Sequence, residues 1–432
     1  MNGMNDKFLI KGLGGRKTLC GSIVVGGAKN AALKLMAASV LFRDEIVLGN
    51  VPDIEDVKKM ASLLEFLGAR VRTKNKHTYA LAFGRGLGTD LSSDISKQMR
   101  ASIVLVGPLL ARFGRVSFPH PGGCVIGERP IDLFLEGFKK MGAVVRMRRG
   151  TYTLRVPQRK LYGATIFLKN QSVTATETFM MAGVLARGET VIKNASLEPE
   201  IVELAGFLTA GGARISGAGT PTIRIKGGAL LSARGKMHRV CPDRIEAGSF
   251  LIFGALCAKE LEIKKCNPAH IESLIEALRA SGVKMEVRKT SIKVFGGSHR
   301  AVDIKTHEYP GFPTDLQAPM TVFLTQARGE SLVFETIFDG RLNYVESLEA
   351  FGADITVMDP HRIIVRGPTV LHGKVVESPD LRAGLAFLIA AIVAKGRSVI
   401  HNVHNIDRGY EKVEDRLKGI GVDIVRIPDG SN

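Results

Sequence analysis

Charged and polar side chains recur at one position of a repeated pattern in this 432-residue chain. They stand at the start of six apolar segments rich in Ala and Gly. In chain order they are Lys29 with Asn30, Arg100, Ser172 with Val173, Asp243 with Arg244, Asp315, and Asp380 with Arg382. The start of a helix presents free N–H groups and about half a positive charge, so it attracts anions. Ser172, Asp243, Asp315 and Asp380 are also suited to plain N-caps, and both readings stay open for them. The basic residues are harder to read as caps. Lys and Arg face the helix dipole unfavourably unless an anion stands nearby. If the repeats assemble symmetrically, these helix starts are expected to converge on one anion-binding cleft.

A second chemical cluster runs from Pro119 to Leu133, through Cys124, Glu128, Arg129, Pro130, Ile131 and Asp132. Three Gly and three Pro within residues 119–130 mark a loop, and loops of this kind close over ligands. A cysteine beside Arg129 is placed to have a lowered pKa and to act as acid, base or nucleophile. His120 has no partner at a ligand spacing and reads as structural. Cys20, Cys241, Cys257 and Cys266 read as small buried hydrophobes. Five scattered cysteines with no CxxC pair argue against a disulfide framework and a zinc site. A reducing compartment fits. The N-terminus lacks a signal-like apolar stretch, and the longest apolar run, Leu385 to Ala394, is too short to cross a bilayer. The expectation is a cytoplasmic protein with no membrane partner.

The elements that must position these residues form a six-fold internal repeat. An amphipathic helical stretch, a Gly and a strand recur as LLEFLGARVR, FKKMGAVVRM, GFLTAGGARI, ALRASGVKME, LEAFGADITV and RLKGIGVDIV. The glycines are Gly68, Gly142, Gly212, Gly282, Gly352 and Gly421, at separations of 74, 70, 70, 70 and 69 residues. Each falls where a left-handed C-cap is needed. Upstream of each lies an Ala/Gly-rich helix, apolar on nearly all faces and therefore buried, followed by a strand. One repeat thus reads buried helix, strand, outer helix, strand hairpin. One core rarely exceeds ~250–300 residues, so two groups of three repeats are expected. The polar stretch Leu230 to Arg239 reads as the link between them. The domains are then 22–236, and 1–21 with 240–432, the opening strand Phe8 to Lys11 packing with the second.

The formal net charge is +18, which favours anionic partners without choosing among them. Nucleic acid is disfavoured: aromatics are only 6%, and no basic block alternates with Tyr or Phe.

Nine motifs in order carry a resemblance over essentially the whole length. They are GGAKNAAL ending at Leu33, QMRASI (98–103), PGGCVIGERPIDL (121–133), EPEIVE (198–203), PDRIEAGSF (242–250), FPTDLQAP (312–319), ETIFDGR (335–341), PDLRAG (379–384) and IDRGYEKVED (406–415). On these the chain resembles the UDP-N-acetylglucosamine enolpyruvyl transferase family. The sister 5-enolpyruvylshikimate-3-phosphate synthases lack the PGGC loop and the AKN start. The resemblance implies a two-domain inside-out α/β barrel of six βαβαββ-type repeats, three per domain. It implies phosphoenolpyruvate and UDP-N-acetylglucosamine as substrates, with no cofactor, no metal and no nucleic acid. It puts phosphoenolpyruvate on Lys29, Asn30, Arg129, Arg341 and Arg408. It puts the UDP-sugar on Arg100, Arg129, Pro130, Ile131, Asp132, Leu133, Ser172, Val173, Asp315 and Ile337. Cys124, Asp315, Lys29 and Arg408 carry the catalysis, with Asp380, Arg382, Asp243 and Arg244 in support.

The implied reaction is addition followed by elimination, with Asp315 as base and Cys124 as proton donor. It is the first committed step of peptidoglycan precursor synthesis, and the cysteine is the fosfomycin target of the family. The chain departs from the family pattern at Asn170, Thr174 and Phe134. The first two bear on the diphosphate contact and the third on packing near uridine. A different UDP-sugar or phosphorylated acceptor is the alternative that the altered 170–174 loop allows. The sequence does not show the oligomeric state.

Overall fold

A computed structural model of the chain describes residues 6–84, 86–91, 100–119 and 131–428. The described residues form two compact units, 27–241, and 6–26 with 242–428. Each has its own hydrophobic core.

The repeat is visible as structure. Its buried helices are Lys29–Ala38, Val106–Phe113 and Val173–Gly183 in one unit, and Arg244–Cys257, Gln317–Leu324 and Leu381–Val393 in the other. Small residues let them pack closely. A Cβ on Gly107 would lie 2.4 Å from the Thr178 carbonyl oxygen, so helix Val106–Phe113 meets Val173–Gly183 across a glycine.

After each outer helix, the six glycines have φ between 87° and 108°. At each, the glycine N–H and the next N–H turn back onto the helix's last carbonyls, as in Gly68 to Glu65 (2.8 Å) and Ala69 to Leu64 (2.9 Å). The same pair of bonds ends at Gly421 and Val422, on Lys418 (3.0 Å) and Leu417 (3.1 Å). This double bond pattern closes a helix whose exit residue must be left-handed. It turns the chain straight into the strand hairpin.

Among the described residues, six small sheets result. The strand after each buried helix pairs antiparallel with one neighbour. In five sheets it also pairs with a short parallel strand, as Ile46–Gly49 does with Thr78–Ala82 and Met237–Arg239. In the sixth repeat the opening strand Lys7–Lys11 sits between Arg397–His401 and Asp423–Ile427, within the second unit. This parallel pairing moves the boundaries read from sequence. Residues 22–24 belong to strand Leu19–Val24, which pairs along its length with Ala258–Lys264. Residues 230–239 are not a link. Leu231 N–H donates to Leu41 O (3.0 Å), and Met237–Arg239 completes the first repeat's sheet. The reason is backbone satisfaction: a sheet edge takes a strand from wherever the chain passes.

Glu177 is the most deeply buried of several charged side chains in unit 27–241 among the described residues. Glu177, on helix Val173–Gly183, is fully buried, with Lys34 Nζ 3.2 Å away. Burial pushes its carboxyl up to about 7, against the opposing pull of Lys34, and Glu200 and Glu198 add to the rise. A carboxyl raised in the folded state binds its proton more tightly there than in the unfolded chain. Stability is therefore expected to fall as pH rises from about 4.5 to about 7, and to level off above. Denaturant titrations across that window should show the slope in the wild type and a flatter profile in Glu177→Gln.

Candidate active site

In unit 6–26 with 242–428 the site grows from Asp315. This residue lies in the single turn Thr314–Leu316 that leads into buried helix Gln317–Leu324. Its two carboxylate oxygens are shared out. Oδ1 accepts from Arg341 Nη2 and Oδ2 from Arg382 Nη2, each at 2.7 Å. The two arginines are almost closed off, with side-chain exposures of 5% and 9%, while Asp315 keeps 26%. Burial by itself would raise the Asp315 pKa. The guanidiniums of Arg382 and Arg341 outweigh it and hold the carboxyl well below the usual carboxylate range.

Each arginine has its own support. Arg382 Nη1 donates to Tyr410 Oη at 3.1 Å. Tyr410 reaches Ser249 Oγ at 3.0 Å, and Ser249 donates to Ile245 O at 2.7 Å. One proton per hydroxyl gives this chain a single direction: arginine to tyrosine to serine to backbone. Arg341 Nη2 also donates to Thr314 O at 3.2 Å, and its Nε is buried without an acceptor among the described residues.

Glu335 links the two loops that carry these groups. It is fully buried. Its Oε2 accepts from Thr314 Oγ1 at 2.9 Å, and its Oε1 from the N–H groups of Ile337 (2.8 Å) and Phe338 (3.1 Å). One carboxylate thus ties the turn before Asp315 to the loop that leads to Arg341. Glu335 and Tyr410 lie inside the motifs ETIFDGR and IDRGYEKVED, which do not by themselves assign either a role. A Glu at the end of an alternating strand, directly before a turn, was the available signal.

The remaining residues of this unit are caps or neighbours. Asp243 caps helix Arg244–Cys257, accepting from Ile245 N–H (2.8 Å) and Glu246 N–H (3.0 Å). Asp380 caps helix Leu381–Val393, accepting from Arg382 N–H (2.7 Å) and Ala383 N–H (3.1 Å). Arg244 lies over the Tyr309 ring, 5.6 Å from its centroid. Arg408 follows the short helix His404–Asp407, which packs on Leu381–Val393; Tyr410, the partner of Arg382, is two residues on. Of the four residues read as caps or ligands, only Asp315 makes no cap.

In unit 27–241, Lys29 opens the first buried helix and pairs with Asp56 at 2.8 Å. Ala28 supplies no capping side chain there. Gly27 passes so close to Asn50 O that a Cβ would stand 1.7 Å from it. Asn30 follows Lys29 in the helix. Ser172 caps helix Val173–Gly183, accepting from Ala175 N–H at 3.3 Å. Ile131 is buried, and exposed Asp132 opens helix Asp132–Lys140, with Leu133 next. The Arg100 side chain, Cys124, Arg129 and Pro130 lie outside the described residues. Among the other cysteines, Cys257 and Cys266 are buried, but Cys20 is exposed and Cys241 half-buried. The buried-hydrophobe reading fails at Cys20 because it points outward from strand Leu19–Val24.

Among the described residues, no His/Cys/Asp/Glu group is arranged to hold a metal ion. No helix there is long and apolar enough to cross a membrane.

A family model described as EPSP synthase (3-phosphoshikimate 1-carboxyvinyltransferase) matches residues 13–417. The chain is 44% identical to a UDP-N-acetylglucosamine 1-carboxyvinyltransferase of Acidobacterium capsulatum, over 98% of this chain and 96% of that one. It is 43% identical to UDP-N-acetylglucosamine 1-carboxyvinyltransferase 2 of Listeria monocytogenes, over 98% of each. The chain belongs to the UDP-N-acetylglucosamine 1-carboxyvinyltransferase family. Among solved structures, the enolpyruvyl transferase NikO from Streptomyces tendae superposes with a TM-score of 0.85 at 22% identity, covering 99% of this chain and 100% of that one. EPSP synthase from Acinetobacter baumannii gives 0.74 at 18% identity, covering 98% and 100%. The fold is that of the enolpyruvyl transferases. In this member of the 1-carboxyvinyltransferase family, Asp315, Arg341, Arg382 and Tyr410 form one hydrogen-bonded cluster.

Two outcomes follow for it. A carboxyl with a depressed folded-state pKa adds stability above the ordinary Asp range, near pH ~4, and loses it as pH falls below. Acid unfolding followed by circular dichroism should therefore be shallower in Asp315→Asn. Glu335→Ala should lose about 1–3 kcal/mol of stability to urea and most of the turnover, with Glu335→Gln recovering much of both.

Proposed function

We infer that this chain transfers the enolpyruvyl group of phosphoenolpyruvate to the 3′-hydroxyl of UDP-N-acetylglucosamine and releases phosphate. Its family membership carries this reading, and the chemistry of the Asp315 cluster is consistent with it. Phosphoenolpyruvate is small and strongly anionic. Guanidinium forks suit its carboxylate and phosphate, and a lysine adds a compact charge. Lys29, Asn30, Arg129, Arg341 and Arg408 take that part. Arg100, Ile131, Asp132, Leu133, Ser172, Val173 and Ile337 take the UDP-sugar. Capping does not disqualify Ser172, because a hydroxyl that accepts a bond keeps its own proton to donate.

The sugar hydroxyl attacks C2 of phosphoenolpyruvate and its proton passes to Asp315. Cys124 protonates C3, giving a tetrahedral phospho-ketal. The C2–O bond to phosphate then breaks, C3 returns a proton, and an enolpyruvyl ether and inorganic phosphate remain. Without substrate, Asp315 is a weak base, because two guanidiniums hold it ionised. An anionic substrate that draws those guanidiniums to itself raises the basicity of Asp315 as it binds. Substrate binding and base activation become one event.

The product serves peptidoglycan precursor synthesis, in the cytoplasm, and fosfomycin alkylates Cys124. The test is phosphate release from phosphoenolpyruvate, with UDP-N-acetylglucosamine and with other UDP-sugars as acceptors. Release with UDP-N-acetylglucosamine is expected, and release only with another sugar overturns the acceptor. Cys124→Ala should lose about 10²–10⁴-fold in rate, and Cys124→Asp should retain activity. Full turnover in the Ala variant removes Cys124 from the mechanism.

A further inference from the structure

The net charge is distributed very unevenly. Residues 27–241 hold 32 Lys and Arg against 16 Asp and Glu, whereas the rest of the chain holds 28 against 26. Two small anionic substrates do not call for a unit with a net charge of +16. Within it, residues 139–160 contain eight basic side chains and no acidic one.

Four of the unit's basic side chains lie on one sheet, built from strands Arg115–Pro119, Thr151–Arg155 and Val144–Arg148, with Thr151–Arg155 in the centre. Register fixes which residues share a face. Arg155 stands opposite Arg115 on one side and Val144 on the other, and Arg146 and Arg148 stand opposite Thr153 and Thr151. All four arginines are therefore on the solvent face, and all are exposed. Like charges directly opposite across strands are destabilising.

In four of the other sheets at least one basic residue meets a carboxylate. Arg72 meets Glu45, Arg224 meets Glu189, Lys293 meets Glu260, and Arg366 meets Glu330 and Asp354. Among the described residues, the four arginines of this sheet have no such partner. Protection of an exposed edge against aggregation accounts for charges on Val144–Arg148. It does not account for Arg155 in the centre, facing Arg115.

We propose that this arginine face is a peripheral docking surface for an anionic phospholipid bilayer. A polyanion with bases to stack fits it poorly: the sheet's aromatics, Phe118 and Tyr152, are stacked on each other on the opposite face. Phospholipid headgroups need only a broad cationic face with apolar side chains at its margin. Val144, 50% exposed on the edge strand and level with Arg155 on the same face, supplies that margin. The sequence reading expected no membrane because no apolar run can span one. Lying on a bilayer requires no such run.

The test is co-sedimentation of the full chain with vesicles of phosphatidylcholine, with and without phosphatidylglycerol, at low and high salt. Binding only to the anionic vesicles, and weakened by salt, is expected. Arg146→Gln with Arg148→Gln should weaken it about thirtyfold and leave phosphate release in solution unchanged. Lys284→Gln with Lys289→Gln, the same loss of charge in the other unit, should leave vesicle binding near wild type. Equal loss in both pairs reduces the effect to net charge and overturns the proposal. So does absence of vesicle binding at low salt, including the case in which an acidic protein or RNA is retained by the arginine face instead.

Discussion

A left-handed glycine after each outer helix is the constraint on which the rest of this structure depends. At Gly68, Gly142, Gly212, Gly282, Gly352 and Gly421 the chain must leave a helix and enter a hairpin at once. The two N–H groups there turn back onto the helix's last carbonyls, which would otherwise be orphaned. A side chain at positive φ would strain that exit. With the exit set, the apolar helix of each repeat has sheet and outer helix around it and must lie inside. Its N-terminus then becomes a reproducible place to put a polar group.

The molecule uses those six helix starts unequally. At Ser172, Asp243 and Asp380 the side chain is spent on the helix's own N–H groups. At Asp315 it is not; a turn precedes the helix, and the carboxylate is given to two buried arginines. At Lys29 no side chain caps the helix, and a cation is balanced by Asp56. Two nearly buried guanidiniums sharing one half-buried carboxylate keep a net positive charge, and each arginine is held in addition by a further hydrogen bond. Glu335 and Tyr410 provide that second layer, one anchoring the loops and the other directing Arg382.

Much of this was legible in advance, for particular reasons. The spacing of the glycines exposed the repeat, because each needs the same backbone conformation. The motif FPTDLQAP singled out Asp315, and ETIFDGR and PDLRAG contained both of its arginines. The strand exchange was less legible. Whether 22–24 and 237–239 close one sheet or another depends on hydrogen bonds between residues more than 180 positions apart. No local period encodes such a partner.

What the sequence determined by itself was the repeat, its helix-to-hairpin exits, the family and the residues at the helix starts. These are properties of local backbone preference and side-chain type, which travel with the residue. The tertiary structure alone decided which of those polar groups is a cap and which is clamped, that Glu335 and Tyr410 support the clamp, and that Arg115 and Arg155 face each other with no carboxylate partner among the described residues. Those outcomes depend on distances between side chains far apart along the chain, and only folding sets them.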